Sequence, residues 1–269
     1  MTNILDKIFE KKKEELTDIR HKIPMSEIKA QACDQPPCLD VMKALDPLKW
    51  DSSRIIAEIK RRTPFKGEIC SSFDPFSIAI DYAKYGAAAI SIITESHYFG
   101  GSLNYLTSIK ELVNIPLLRK DFIFDEYQVI ESRAFGADLF LLIATTLETN
   151  QMEDLIGLGK ELGLKALVET HDESDMEKAF RINSKLIGIN NRDLTSGKTD
   201  LNIARRLLKF DSFDEGTLLI CESGINCRSE IEEFEKLGAH AFLVGESLMR
   251  SDNIPQKLKQ LQGQDNNAS

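Results

Sequence analysis

Positive charge, histidine, cysteine and long apolar runs are all scarce in this 269-residue chain. Its 34 Lys and Arg face 43 Asp and Glu, a net charge of −9 with a pI near 5.1. A general nucleic-acid binder needs the opposite sign, so no nucleic-acid partner is expected. The five cysteines (Cys33, Cys38, Cys70, Cys221, Cys227) are odd in number and form no C-x-x-C, so reduced thiols are expected. The four histidines (His21, His97, His171, His240) are scattered, without H-E-x-x-H or a Cys/His cluster, so no metal is expected. The longest strongly apolar run, Leu139–Ala144, is too short to cross a bilayer. The opening Met-Thr-Asn-Ile-Leu-Asp-Lys has no apolar signal core. Those absences lead to the expectation of a soluble, cytoplasmic protein with no membrane partner.

What is present is a repeat. From Arg54 onward, short β-rich runs alternate with amphipathic stretches, and the runs start every 21 to 33 residues. The eight runs are Ile55–Lys60, Ala88–Thr94, Pro116–Asp121, Asp138–Ala144, Lys165–Thr170, Leu186–Asn190, Thr217–Ser223 and His240–Gly245. Most are nearly continuous in apolar residues, as parallel strands covered on both faces require. Asp125–Phe135 and Ser229–Leu237 read as helices that stop at Gly136 and Gly238, and Gly86 marks a third such stop. Eight unbroken units predict an α/β protein, a closed (β/α)8 TIM barrel. A doubly wound open sheet is the alternative, but the first run is followed by Arg61-Arg62-Thr-Pro-Phe-Lys-Gly rather than Gly-x-Gly-x-x-Gly.

Residues 1–53 lie outside the repeat and read as an N-terminal helical extension packed on the barrel, within one domain spanning 1–269. Ile4, Leu5, Ile8 and Phe9 have helical spacing, and the run Lys11-Lys12-Lys13 reads as a solvated face. Pro24 and Pro36-Pro37 break the extension into pieces. The polar tail from Gln262 is expected to fray.

In a barrel, chemistry sits at the C-terminal ends of the strands. Those ends carry Glu58 and Lys60, Lys120, Glu169, Asn190 and Glu222. Hydrophobic strands have no packing reason to end repeatedly on ionisable residues. Converging on one mouth, these groups would shift one another's pKa and supply general acids and bases. The bland alternative is a set of solvated strand ends or structural ion pairs. Arg61, Arg119 and Asp121 alternate with the inward residues and are expected to pair among themselves outside the mouth. Arg62 and Asn191 read as loop residues.

The last two loops carry Ser223-Gly224 and Gly245-Glu246. Loops after the seventh and eighth strands often bind phosphate, and Gly224 and Gly245 would let backbone N–H groups approach an anion. Glu246 should then point away, or the phosphate contact there should be through the backbone only. Lys60, Arg192 and Lys66 supply local positive charge. Thr63–Gly67 reads as a mobile cover, and Phe99, Phe122 and Leu194 could hold a flat ring.

These residues together resemble a known family. Ala57-Glu-Ile-Lys-Arg-Arg-Thr-Pro-Phe-Lys-Gly67 is similar to the first-strand signature of indole-3-glycerol phosphate synthases. Tyr98–Ser102, Leu118–Phe122, Leu167–Glu169, Gly188–Leu194, Glu222–Ile225 and Phe242–Met249 match in the same order, and Ile4–Ile8 looks like the family's N-terminal helix. The resemblance implies conversion of 1-(2-carboxyphenylamino)-1-deoxyribulose 5-phosphate to indole-3-glycerol phosphate, CO2 and water in tryptophan biosynthesis, without metal or organic cofactor. It implies a small phosphorylated substrate as the partner, and a monomer is expected.

By position, Lys120 resembles the general acid of ring closure and Glu169 the acid/base that assists hydroxyl loss. Lys60 resembles a carboxylate-contacting cation, with an acid role in dehydration also open. Glu58 would orient the lysines, Glu222 the polar end of the substrate, and Asn190 would bond the sugar hydroxyls. Arg192, Ser223, Gly224 and Gly245 resemble the phosphate side. Phe99, Phe122 and Leu194 resemble the wall of the anthranilate pocket. Thr63 and Phe65 depart from the family, which commonly has serine and a small residue there. Other phosphate-binding barrels remain open as alternatives, an Amadori isomerase or a Schiff-base aldolase using Lys60 or Lys120, as does a non-catalytic binding module.

Overall fold

The computed structural model describes residues 4–264 apart from Trp50, Ser71, Asp211 and Ser212. Its strands are β1 (Arg54–Ile59), β2 (Arg62–Thr63), β3 (Gly67–Glu68), β4 (Ala89–Ile93), β5 (Leu117–Lys120), β6 (Leu139–Ile143), β7 (Lys165–Thr170), β8 (Leu186–Asn190), β9 (Leu218–Glu222) and β10 (Ala241–Val244). The helices are α1 (Ile4–Lys22), α2 (Met25–Cys33), α3 (Val41–Leu45), α4 (Pro75–Lys84), α5 (Asn104–Lys110), α6 (Glu126–Ala134), α7 (Thr149–Glu161), α8 (Glu173–Arg181), α9 (Asn202–Leu207), α10 (Arg228–Lys236), α11 (Glu246–Met249) and α12 (Ile254–Gln262). Among the described residues eight parallel strands close in the order β1-β10-β9-β8-β7-β6-β5-β4. The architecture is a (β/α)8 barrel; seven of the eight runs read from the sequence contain one of its strands, and the first, Ile55–Lys60, begins one residue after β1 does.

Side-chain alternation builds two apolar layers from each strand. Ile56, Leu118, Leu139, Leu141, Leu167, Leu186, Ile220 and Leu243 fill the barrel interior. Their neighbours Ile55, Phe140, Val168, Ile187, Cys221 and Phe242 face the helices. Inward positions nearest the strand C-termini are not apolar: Glu58, Lys120, Glu169, Asn190 and Glu222 follow the inner-layer residues at spacings of two or four.

Local chemistry fixes the helix ends. Asp125 and Asp172 accept hydrogen bonds from the first-turn N–H groups of Tyr127 and Asp175. Asp74 does the same for Phe76, with Pro75 opening α4. Gly86, Gly136 and Gly238 have φ of +85°, +86° and +103°, the left-handed stops expected after helices.

The floor of the barrel is held by a buried charge. Asp138 accepts from Lys110 Nζ at 2.7 Å, from Leu117 N at 2.8 Å and from Leu39 N at 2.7 Å. It thereby ties α5, β5 and the N-terminal segment together far from the strand C-termini.

The extension is helical as expected, and α2 packs through Ile28 and Ala32 on Tyr127, Ile130 and Ala134 of α6. Two expectations about it change. Lys12 is not part of a solvated face: it is 7% exposed and paired with Asp121 and Glu15. A helix turned with Ile8 and Leu16 inward carries the residue between them inward as well. Gln262 does not fray: it is buried at the end of α12, and its side chain donates to Gly86 O. Residues 265–269, the rest of the predicted tail, lie outside the described residues, as do Met1–Asn3.

Candidate active site

At the strand C-termini a cavity of about 440 Å³ opens. Its wall includes Glu58, Lys60, Phe99, Lys120, Phe122, Glu169, Asn190, Arg192, Leu194, Glu222, Ser223, Gly224, Gly245 and Glu246. Every candidate site residue from the sequence therefore meets the same space, which is the size of a small-molecule pocket.

Lys120 stands at the centre. Its ammonium donates to Glu169 Oε2 at 2.5 Å and to Glu222 Oε2 at 2.9 Å. Burial penalises its charge, but Glu169, Glu222 and Glu58 outweigh that penalty and hold its pKa far above the ordinary lysine value. The two carboxylates are driven apart. Burial opposes ionisation of Glu169, but Lys120 and His171 keep it strongly acidic. Burial and the Glu169 charge push Glu222 up to about 7, against the pull of Lys120. Neighbouring carboxyls with separated proton affinities provide a base and an acid in one pocket. Beside them Lys60 donates to Glu58, both side chains being largely buried.

The two acids divide the lysines between them, with Glu58 orienting a lysine as expected. Glu58 holds Lys60, whereas the contact of Glu222 is with Lys120. Glycine makes room for both acids. A Cβ at Gly188 would stand 2.1 Å from Glu222 Oε1, and one at Gly245 would stand 2.4 Å from Glu58 Oε1. Gly245 was expected for close approach to an anion; the space it leaves is occupied by Glu58.

The far wall carries the cations. Ser223 and Gly224 turn out of β9 with φ of +64° and +82°. A Cβ on Gly224 would also collide with Thr199 at 2.6 Å, so the turn needs glycine twice over. Asn191 is more than a loop residue: buried, it donates to the carbonyls of Glu222 and Ser223 and accepts from Ala204 N. Asn190 Oδ1 accepts from Arg192 N at 3.0 Å. Glu246 does not point away. Its carboxylate meets Lys66 at 2.6 Å, Arg250 at 3.1 Å and Arg192 at 3.3 Å. A cluster of cations needs a counter-charge, and this side chain supplies it.

The segment read as a cover is a hairpin of β2 and β3 whose turn, Thr63–Lys66, borders the cavity. Thr63 Oγ1 accepts from Lys66 N at 3.0 Å and caps the turn, a task any hydroxyl performs. The large Phe65 ring is seated over Gly197, where a Cβ would lie 2.4 Å from the ring. Arg119 and Asp121 pair at 3.3 Å as expected, but Asp121 borders the cavity rather than lying outside the mouth, and Arg61 turns to Glu68 at 3.5 Å. Arg62, in β2, donates to the His97 carbonyl.

Several wall residues were not placed at the cavity from the sequence. Ile4, Leu5 and Ile8 of α1 border the cavity, so the extension is part of its wall. Glu95 is buried and accepts from the backbone N–H of His97, Tyr98 and Phe99 at 2.8 to 2.9 Å, which fixes the loop that carries Phe99. The signal was present: an acid directly follows the second run, which ends at Thr94. Phe99 and Phe122 lie with ring centres 6.2 Å apart and planes tilted by 39°, and Phe9 of α1 meets Phe122 edge-on at 5.6 Å. Among the described residues no group of three or more His, Cys, Asp and Glu is arranged to hold a metal ion, and no helix is long and apolar enough to cross a membrane.

Comparisons with known proteins agree with this geometry. A crystal structure of 3-hexulose-6-phosphate synthase superposes with a TM-score of 0.62 at 16% identity, covering 78% of this chain and 99% of that one, a likeness of fold. An indole-3-glycerol phosphate synthase of Campylobacter jejuni subsp. doylei is 44% identical over 96% of this chain and 99% of its own length. One from Sulfurimonas denitrificans is 41% identical over 96% of this chain and 98% of its own. The family model described as indole-3-glycerol phosphate synthase matches residues 5–261. The chain therefore belongs to the indole-3-glycerol phosphate synthase family.

Proposed function

We propose that the pocket carries out the family's reaction with the residues named above: ring closure, decarboxylation and dehydration of 1-(2-carboxyphenylamino)-1-deoxyribulose 5-phosphate. The chain is a carbon–carbon lyase of tryptophan biosynthesis. The observation that carries the residue assignment is the Lys120 ammonium held between Glu169 and Glu222.

The ring carbon bearing the carboxylate attacks the C2′ carbonyl, and Lys120 gives its proton to the developing alkoxide. The bond to the carboxylate then breaks, CO2 leaves, and its electron pair restores the ring. The C2′ hydroxyl departs as water on a second proton, and removal of a C1′ proton completes the indole. Two protons enter and one leaves, so each turnover from the carboxylate takes up one proton. Glu169 serves the hydroxyl and proton-removal steps; Lys60, held by Glu58, meets the substrate carboxylate and can serve as the second acid. Glu222 keeps Lys120 in place, and Asn190 bonds the sugar hydroxyls. Phe99, Phe122 and Leu194 sandwich the anthranilate ring. Arg192, Lys66, Ser223 and the backbone at Gly224, Gly245 and Glu246 receive the phosphate. The chain is further read as a cytoplasmic monomer, one barrel unit with residues 1–53 as its extension, acting on a small phosphorylated molecule. The net charge of −9 supports the reading that nucleic acid is not a partner.

The test is indole absorbance and fluorescence from the carboxyphenylamino-deoxyribulose phosphate, with no added metal. Product formation is expected; a folded sample that releases none contradicts the assignment. Borohydride trapping with that substrate separates the aldolase alternative, and an unchanged protein mass is expected.

A further inference from the structure

Behind Glu169, on the side away from Lys120, lies a second chain of polar groups that none of the proposed steps uses. His171 follows β7 two residues after Glu169, so its side chain leaves the same side of the backbone. Its Nε2 faces Glu169 Oε1 at 3.3 Å, while Lys120 holds the other oxygen, Oε2, at 2.5 Å. Among the described residues that buried Nε2 has no hydrogen-bond partner, so the Glu169 carboxylate is what it faces. The other ring nitrogen, Nδ1, lies 3.6 Å from Asp175 Oδ2 and 3.2 Å from Thr145 Oγ1. Thr145 donates to Asp175 Oδ2 at 2.5 Å, and the backbone N–H of His171 donates to the same oxygen at 3.1 Å. Three elements converge to build this: β7, the turn after β6 and the first turn of α8. The side chains are 2% exposed at Glu169, 12% at His171 and 4% at Asp175.

A carboxylate, an imidazole and a second carboxylate in line form an orienting relay. We propose that His171 is a positioning residue for the reaction: anchored by Asp175 and Thr145, it fixes the Glu169 carboxylate from behind and balances the charge that Lys120 leaves uncovered. This rests on the reading of Glu169 as an acid/base. The charged groups around the ring are Glu169 on β7, Asp175 and Lys178 on α8 and, beyond Glu169, Lys120 on β5. Lys178 is turned to the carbonyls of Ala144 and Leu147. Burial disfavours the imidazolium, but Asp175 and Glu169 more than compensate and hold the ring's pKa at about 9. The ring is therefore charged at neutral pH, as its two carboxylate neighbours require.

The experiment compares His171→Asn, Glu169→Gln and the double variant in steady-state turnover across pH, with melting temperatures as the fold control. His171→Asn keeps a donor and loses the charge. It is expected to lower kcat about tenfold to a hundredfold, the scale of a misplaced reacting group, with KM within about threefold. The alkaline limb of the kcat profile should shift, and the effect should vanish in the Glu169→Gln background. A folded His171→Asn with unchanged kcat and pH profile, beside an inactive Glu169→Gln, overturns the positioning role alone. A fully active Glu169→Gln overturns the reading beneath it. If His171→Asn does not fold, Asp175→Asn decides: a smaller fall in kcat with KM held supports the relay, and no fall refutes it.

Discussion

Lys120 and its two carboxylates occupy space that neighbouring residues give up. Gly188 lies beneath Glu222, and the Cβ of an alanine there would stand 2.1 Å from the acid. Gly188→Ala should therefore lower turnover by displacing Glu222, and should destabilise the fold by about 1–3 kcal/mol through overpacking. Steady-state kinetics beside denaturant unfolding checks both effects. The inward acids and lysines were legible in the sequence because strand alternation alone decides which residues face the mouth. The reason for Gly188 and Gly245 was not legible, because each makes room for a side chain on a different strand. For the same reason the direction of the Glu246 side chain was not legible: it depends on Lys66 and Arg192, which lie 180 and 54 positions away.

Helix α1 shows what periodicity reveals and what it hides. Its apolar spacing predicted a packed amphipathic helix. It could not show that Ile4, Leu5 and Ile8 would border the cavity, or that Lys12 would find Asp121 across 109 positions of sequence. Lys12 keeps its charge because Asp121 and Glu15 outweigh its burial. Lys12→Met should destabilise the protein by about 1–3 kcal/mol, since it uncovers part of a buried acid that Arg119 still faces. It should also raise KM more than it lowers kcat, because α1 is wall rather than chemistry. Substrate titration of the folded variant checks this; an unchanged KM would mean that α1 keeps its seat without the pair. That Thr63–Lys66 would border the cavity was legible, whereas the β2–β3 pairing and the seat of Phe65 on Gly197 were not, for the seat joins two loops that no local pattern connects.

Across the whole molecule, buried charge is sorted by height. At the floor Asp138 meets backbone N–H groups and Lys110, and the task is cohesion. At the mouth, the charges face one another across a cavity. Asp121 stands between these uses, joining α1 to the barrel. Burial would raise its pKa, but Lys12, Arg119 and the Thr94 hydroxyl hold it down at about 2. A depressed carboxyl contributes stability that is complete above its unfolded value of about 3.8 and is lost as pH falls through about 2. Acid unfolding should therefore show a stability gap between the wild type and Asp121→Asn, on the order of 2 kcal/mol at neutral pH, closing between about pH 4 and 2. A gap constant over that window would contradict the pairing. The barrel itself was legible at this scale because eight strand-helix units leave few other closures.

The claim on which the chemistry turns is that the ammonium of Lys120, held between two acids, protonates the substrate carbonyl as the ring closes. Single-turnover indole formation by Lys120→Met tests it most directly, with circular dichroism and substrate binding measured on the same sample. The result expected is a folded, substrate-binding protein slowed by about a hundredfold or more; indole release at the wild-type rate would contradict it.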